Sequence, residues 1–177
     1  MERQGLSIVV CTYNREKFIY NCLYCLSLQT LDIDMFEVIL IDNNSTDRSA
    51  EIIKKFIADH PQLPFRYVFE ENKGLSFARN RGIAEARYDV ITFIDDDAEP
   101  IPTFAETVLN FMQSHPEAAG AGGRIIPKYP ETGEPKWMNK YLAGYVGVTD
   151  HGGPVRVFEG KMKYPAGCNM TYGEDLL

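Results

Sequence analysis

The sequence predicts an α/β fold, an open, mainly parallel sheet with helices on both faces. Three observations carry this. Short, nearly continuous apolar runs recur between residues 7 and 94, as strands do when both faces of their sheet are covered. Each run is followed by a turn and then by a segment with apolar residues at helical spacing. Polar residues gather just after the runs, where an open α/β sheet places its ligands. Strands alternating with helices imply right-handed crossovers and parallel pairing.

Residues 7–11 form the first strand. Residues 15–28 are expected to be helical, with Asn14 as N-cap. Residues 37–41 are the second strand and 47–58 the second helix, with Ala50, Ile53, Phe56 and Ile57 on one face and His60-Pro61 as its stop. The third strand is 65–69 and the third helix 76–86; the fourth strand is 90–94 and the fourth helix 103–114, closed by His115-Pro116. After Arg124 the texture changes. Residues 128–137, with Pro130, Gly133 and Pro135, read as a loop; 141–148 are apolar and contain glycine; 155–164 have weak strand character. This stretch is too short to hold a core of its own and is expected to pack beside the first part. The expected organisation is therefore one domain over residues 1–177, with a ligand-binding half at 1–125 and a second half at 126–177.

Composition narrows the function. A hydrophobic fraction of 45% and a charged fraction of 24% suit one soluble domain. The formal net charge is -7 and no Lys/Arg-rich run exists, which argues against a nucleic-acid partner. An acidic protein that binds an anion needs local help from a bound cation or a few placed basic residues. The apolar stretch at 6–11 is too short for a signal-peptide core, and no segment approaches the roughly 20 apolar residues of a membrane span. A cytoplasmic protein without a spanning segment is expected; peripheral association at the inner face of the membrane stays open. Of the four cysteines, Cys22 and Cys25 form a C-x-x-C, yet no second pair completes a zinc site. Phe18, Cys22, Cys25 and Leu26 share one helical apolar face, so buried free thiols are expected.

Three carboxylates, Asp95, Asp96 and Asp97, directly follow the fourth strand. Adjacent carboxylates repel, and a hard divalent cation with its preference for oxygen ligands removes that cost. Alternate residues of an extended chain point the same way, so Asp95 and Asp97 would face one ligand while Asp96 points elsewhere. A solvated acidic loop is the alternative. Asp42 ends the second strand in the same manner, followed by Asn43, Asn44, Ser45 and Thr46. It is placed either to accept a hydrogen bond from a nucleobase or ribose or to cap the next helix. The stretch is not a calcium loop, because Asp47 stands where the glycine belongs and Ile53 where the bidentate glutamate belongs. Thr12, Tyr13, Asn14 and Arg15 follow the first strand, where a helix start offers free backbone amides to an anion. Asn72-Lys73-Gly74 leads into the third helix, which carries Arg79; Lys73, Arg79, Asn44, Asp95 and Asp96 join the candidate nucleotide contacts, with solvated or ion-paired roles as the alternative. Gly120-Ala121-Gly122-Gly123 is too irregular and too late in the chain for a dinucleotide fingerprint. Glu174 and Asp175 add two carboxylates near the end, candidates for a general base if the fold returns them to the cleft.

Taken in order, residues 7–15, 37–47, 72–80 and 93–97 resemble the family 2 glycosyltransferases of the GT-A (Rossmann-like) fold, and residues 167–170 and 173–175 resemble that family's later acceptor-side motifs. The resemblance implies a nucleotide-diphosphate-sugar donor, foremost a UDP-sugar, and a carbohydrate or glycolipid acceptor. It implies that Asp42 binds the base, that Thr12, Tyr13 and Asn14 line the nucleotide pocket with Arg79 nearby, and that Asp95 and Asp97 form the D-x-D pair, Asp97 holding Mn2+ or Mg2+. Asp175 matches the catalytic base, with Glu174 beside it, in a transfer that inverts the anomeric centre. Here only Thr171 and Tyr172 separate Met170 from Gly173, where relatives have a longer stretch, and the acceptor-side half is expected to be incomplete. A nucleotide-sugar-binding fragment without turnover is therefore one alternative. An aspartate-dependent phosphatase is another, poorly matched because its acidic pair would end the first strand rather than the fourth.

Overall fold

The computed structural model describes residues 4–139, 141, 142, 144, 147–149, 152, 155, 157 and 165–173. Within them run β1 (Leu6–Thr12), α1 (Ile19–Ser27), a 3-10 turn (Ile33–Met35), β2 (Phe36–Asp42), α2 (Ser49–Asp59), β3 (Phe65–Phe69), α3 (Leu75–Glu85), β4 (Val90–Asp95), α4 (Phe104–Ser114), β5 (Gly120–Gly122) and β6 (Asn169–Gly173). The described strands form one sheet in the order β3-β2-β1-β4-β6-β5. The first four are parallel, with Thr12 opposite Asp42 and Cys11 opposite Asp95, so their carboxyl ends share one edge. β6 runs antiparallel to both β4 and β5.

Strand alternation sorts the core into two layers. Leu6, Ile8, Val10, Val38 and Leu40 pack with Ile19, Leu23 and Leu26 of α1, Ile53 and Phe56 of α2 and Ala105 of α4. Val9, Ile39, Ile41, Ile91 and Phe93 face the other way, toward Ala78 of α3 and Met170 of β6. Each fully buried Leu or Ile in these layers contributes about 1.5–3 kcal/mol. The strand order reverses between β1 and β4, and α3, the connection that crosses there, lies on the opposite face from α1 and α2, as a constant crossover hand requires.

Helix α3 approaches β1 closely at Gly82, where an added Cβ would collide with the Val9 side chain. Gly82→Ala is expected to lower stability, since overpacking a rigid core by a methyl costs about 1–3 kcal/mol, more than the roughly 1 kcal/mol of helix propensity gained. Urea unfolding of the two proteins measures this.

Two sequence expectations are corrected, and two short strands carry no strand signal in the sequence. Asn14 does not cap α1. It adopts a left-handed φ of 55°, its Oδ1 accepts from the amides of Thr46 and Asp47, and the helix starts at Ile19 after a turn closed by Phe18 and Ile19 donating to the Arg15 carbonyl. Phe18 is exposed and Cys25 half-buried, so the apolar face of α1 is Ile19, Cys22, Leu23 and Leu26, although all four cysteines are free thiols. Residues 120–122, set aside as an irregular glycine run, are the edge strand β5. Their glycines admit a close neighbour, because a Cβ on Gly120 would stand 2.7 Å from the Thr171 carbonyl and one on Gly122 would stand 2.8 Å from Pro165 Cβ. Residues 169–173 are a strand in the sheet interior that the pattern did not announce. Residues 128–137 are turns and loop as expected; Val155 and Val157 are exposed and in no strand, and most of the rest of 140–164 lies outside the described residues.

At the amino ends of the strands sits a buried polar cluster. Glu37 is 2% exposed and accepts from Ser7 Oγ at 2.9 Å, the Arg87 amide at 2.7 Å, and Arg66 Nε and Nη2 at 3.1 and 3.0 Å. Arg66 also bonds the Glu85 side chain and carbonyl. The carboxyl ends of the strands lie at the other side of the molecule.

Candidate active site at the carboxyl edge of the sheet

The reversal of strand order between β1 and β4 opens a crevice at their carboxyl ends, the place where open α/β sheets bind ligands. Cys11, Thr12, Tyr13, Asn43, Lys73, Gly74, Leu75 and Ala78 line a cavity there of about 450 Å³, within the range of small-molecule sites, roughly 300–1,000 Å³. Tyr13 is exposed, and Lys73 both donates to its hydroxyl at 3.3 Å and stands 5.1 Å from its ring centroid. Thr12 is buried, and its Oγ1 forms no hydrogen bond.

The acidic stretch ends β4 in a turn. The Ala98 amide donates to the Asp95 carbonyl at 3.1 Å, and the Cys22 thiol reaches the same oxygen at 3.7 Å. Asp95 and Asp97 are exposed, while Asp96 is 5% exposed and pairs with Arg15 Nε at 3.3 Å. The expected alternation holds, though a turn produces it and an extended chain does not. Partial enclosure of its carboxyl by the fold, and then the charge of Asp97, push Asp95 up although the residue as a whole is exposed. Burial pushes Asp96 up to about 6; Arg15 and the nearby Thr12 hydroxyl, at a geometry short of a full hydrogen bond, pull it down.

The Asp96 shift has a stability consequence. Folding raises this pKa from the ordinary 3.8, so the folded chain binds the proton more tightly than the unfolded chain. The stabilisation is complete below about pH 4 and is lost as pH rises through about 6. In metal-free solution, wild type is expected to lose about 2 kcal/mol more than Asp96→Asn between pH 4 and pH 7. Urea unfolding across that range, compared between the two proteins, isolates this group from the other carboxylates.

The turn after β2 is built by side chains bonding backbone. Asp42 is 1% exposed; its Oδ1 accepts from the Ser45 amide at 3.0 Å and its Oδ2 from the Tyr67 hydroxyl at 2.7 Å. Burial first, and this bond second, push the Tyr67 hydroxyl pKa up. Asn44 takes a left-handed φ of 64° and donates to the Glu71 carbonyl. Asn43 bridges to the start of α3, donating to the Asn72 carbonyl and accepting from the Gly74 amide, both at 2.6 Å. Gly74 has φ 140°, a conformation that favours glycine.

The model of the Glycosyl transferase family 2 matches residues 7–175. The chain belongs to glycosyl transferase family 2. Among its relatives, the glucosyl-dolichyl phosphate glucuronosyltransferase of Haloferax volcanii is 26% identical over 172 residues, covering 97% of this chain and 53% of that protein. The structure of S. aureus TarS 1-349 superposes with a TM-score of 0.72 at 22% identity, over 97% of this chain and 48% of that one. TarS in complex with UDP-GlcNAc is matched at 26% identity and a TM-score of 0.59, over 70% of this chain and 37% of that one. The mannosyltransferase PcManGT from Pyrobaculum calidifontis, solved with GDP-Man and Mn2+, shares the fold at a TM-score of 0.61 and 23% identity, over 71% of this chain and 37% of that chain. The family 2 chain spans about half the length, or less, of the curated relatives it matches.

Within this family 2 chain, the crevice brings together Thr12, Tyr13, Lys73 and the acidic turn. Arg79 stands at its rim, donating to the Gly167 carbonyl at 3.1 Å, with its charge lowering Asp95. Asn14 and Asn44 are spent on the β2 turn. Among the described residues no three His, Cys, Asp or Glu side chains converge on a cation. Asp95 and Asp97 instead offer two exposed oxygen ligands, a set that suits Mg2+ or Mn2+ when phosphate oxygens complete the shell. Burial pushes the Cys11 thiol up to about 12. Glu174 and Asp175 lie outside the described residues; Gly173 before them pairs with Val90, at the end of β4 away from Asp97. Sequence reasoning passed over Asn43, Tyr67 and Cys168. A tyrosine within the apolar third strand was the available sign for Tyr67. Cys168 stood inside the 167–170 motif with no role of its own, and its place near Asp95 and Arg79 follows from β6. No helix among the described residues is long and apolar enough to cross a membrane.

Proposed function

We propose that this chain binds a nucleotide-diphosphate sugar in the crevice as the donor for a metal-assisted transfer to an acceptor hydroxyl, with inversion at the anomeric carbon. The observation that carries this reading is the acidic turn. Its outer carboxylates, Asp95 and Asp97, stand free on the solvent side at the carboxyl end of β4 while the middle one is tied inward. Asp97, with Asp95, holds a Mn2+ or Mg2+ ion, whose part is to offset the charge gained by the departing nucleoside diphosphate. Tyr13 and Lys73 offer a ring face and a cation to the nucleotide, and Asp42, fixed by Tyr67 and Ser45, shapes the wall of the base site. A UDP-sugar is the first donor to test, supported by the 26% identical TarS held with UDP-GlcNAc. The acceptor is a carbohydrate or glycolipid, reached by peripheral attachment at the cytoplasmic face of a membrane. Residues 1–125 carry donor binding and 126–177 the acceptor side.

Transfer also needs a base to take the acceptor proton, and Asp175, with Glu174 beside it, fills that role in this reading. A second reading, donor binding without transfer, is favoured by the position of Gly173 opposite Val90. Calorimetry with UDP, GDP and dTDP, with and without Mn2+, tests the donor site; binding of one nucleotide that depends on Mn2+ is expected, and no binding of any in either condition overturns it. Sugar release onto a panel of acceptors then separates the two readings.

A further inference from the structure

We propose that Arg15 is a positioning residue for the acidic turn. By pairing with Asp96 it draws the middle carboxylate inward and so presents Asp95 and Asp97 together on the open side. The inference rests on the donor-site reading above. Three successive carboxylates repel one another, and a turn carrying them can rotate any one toward water. Here Asp96 is the buried one, with its side chain only 8% exposed, and a buried carboxylate requires a partner. Arg15 supplies it at 3.3 Å from a backbone that is itself fixed: its amide donates to Ser49 Oγ at 2.8 Å, and its carbonyl accepts from Phe18 and Ile19. The same β1–α1 segment holds the turn a second time through the Cys22 thiol on the Asp95 carbonyl. Both contacts come from one side and leave the other side of the turn to ligand. Arg15 would thus act on the cation through Asp96, where a direct contact with the diphosphate is the competing role.

The test is Mn2+ binding to the full chain, followed by electron paramagnetic resonance with and without UDP. The proteins compared are wild type, Arg15→Ala, Arg15→Lys, Asp96→Asn and the Arg15→Ala/Asp96→Asn double variant, each confirmed folded by its unfolding curve. Residues that orient metal ligands are worth roughly 10–100-fold in metal affinity. Arg15→Ala is expected to weaken Mn2+ binding in the presence of UDP by about tenfold or more, and Arg15→Lys to restore most of it. In the Asp96→Asn background, Arg15→Ala is expected to have no further effect, and UDP binding without Mn2+ to stay unchanged. Unaltered Mn2+ affinity in Arg15→Ala overturns the proposal, as does an effect that persists undiminished in the Asp96→Asn background. An equal loss of UDP affinity without metal overturns it in favour of direct contact. If wild type binds no Mn2+ with UDP, the donor-site reading itself has failed, and this inference falls with it.

Discussion

Asp97→Ala is expected to remove the metal-dependent part of nucleotide binding and to weaken UDP affinity in Mn2+ by roughly 100-fold, about 3 kcal/mol. The size follows from what remains. Asp97 is one of only two exposed carboxylates on the acidic turn, and Asp96 is committed to Arg15. Asp95 alone gives a cation one carboxylate, and the diphosphate is then left in a crevice of an acidic protein with few placed cations. Binding without metal should barely change, because Asp97 does not line the cavity around Tyr13 and Lys73. Calorimetry on the two proteins, each with and without Mn2+, measures both quantities. An Asp97→Ala protein that keeps its Mn2+-dependent affinity sinks the assignment of this turn to the cation.

The second large effect is on stability. Glu37→Ala is expected to cost about 3–5 kcal/mol, a large part of the 5–15 kcal/mol of a typical domain. The side chain is buried and holds four donors at once, from Ser7, Arg66 and the Arg87 backbone. Removing it strands the Ser7 hydroxyl and the Arg87 amide without their acceptor and takes one carboxylate from Arg66, which keeps Glu85. The cluster lies at the amino ends of the strands, so the folded fraction should bind nucleotide as wild type does. Urea unfolding read beside calorimetry separates the two properties. A midpoint shift below that of an ordinary surface substitution would mean that Glu37 is dispensable.

Sequence was most informative where one physical signal dominated. β1, β2 and β4 are buried on both faces, so each stands out as a nearly unbroken apolar run, and the helices between them follow from spacing. Their carboxyl ends, and hence Asp42 and the acidic turn, were legible for the same reason. The start of α1 was misplaced because Asn14 looks like a cap, whereas long-range bonds to the amides of Thr46 and Asp47 claim its side chain. β5 is three residues of glycine and alanine, selected for close approach, and carries no periodicity. β6 mixes Asn169, Thr171 and Gly173 with Met170 and Tyr172; Thr171 is buried only because its hydroxyl donates to Thr92. Hydroxyls paired across two strands leave no mark on a hydropathy pattern.

The antiparallel β6 makes the order of synthesis matter. Strands β1 to β4 emerge from the ribosome in succession and pair with one another, yet the outer edge of β4 must wait for Asn169–Gly173. Through that interval the backbone of Val90–Asp95 offers unmet amides and carbonyls along an apolar edge, a template for any extended chain nearby. Completion of the sheet therefore doubles as protection. A nascent chain stalled before Met170 carries the exposed carboxylates at the end of β4 and, in the same strand, its own invitation to self-association.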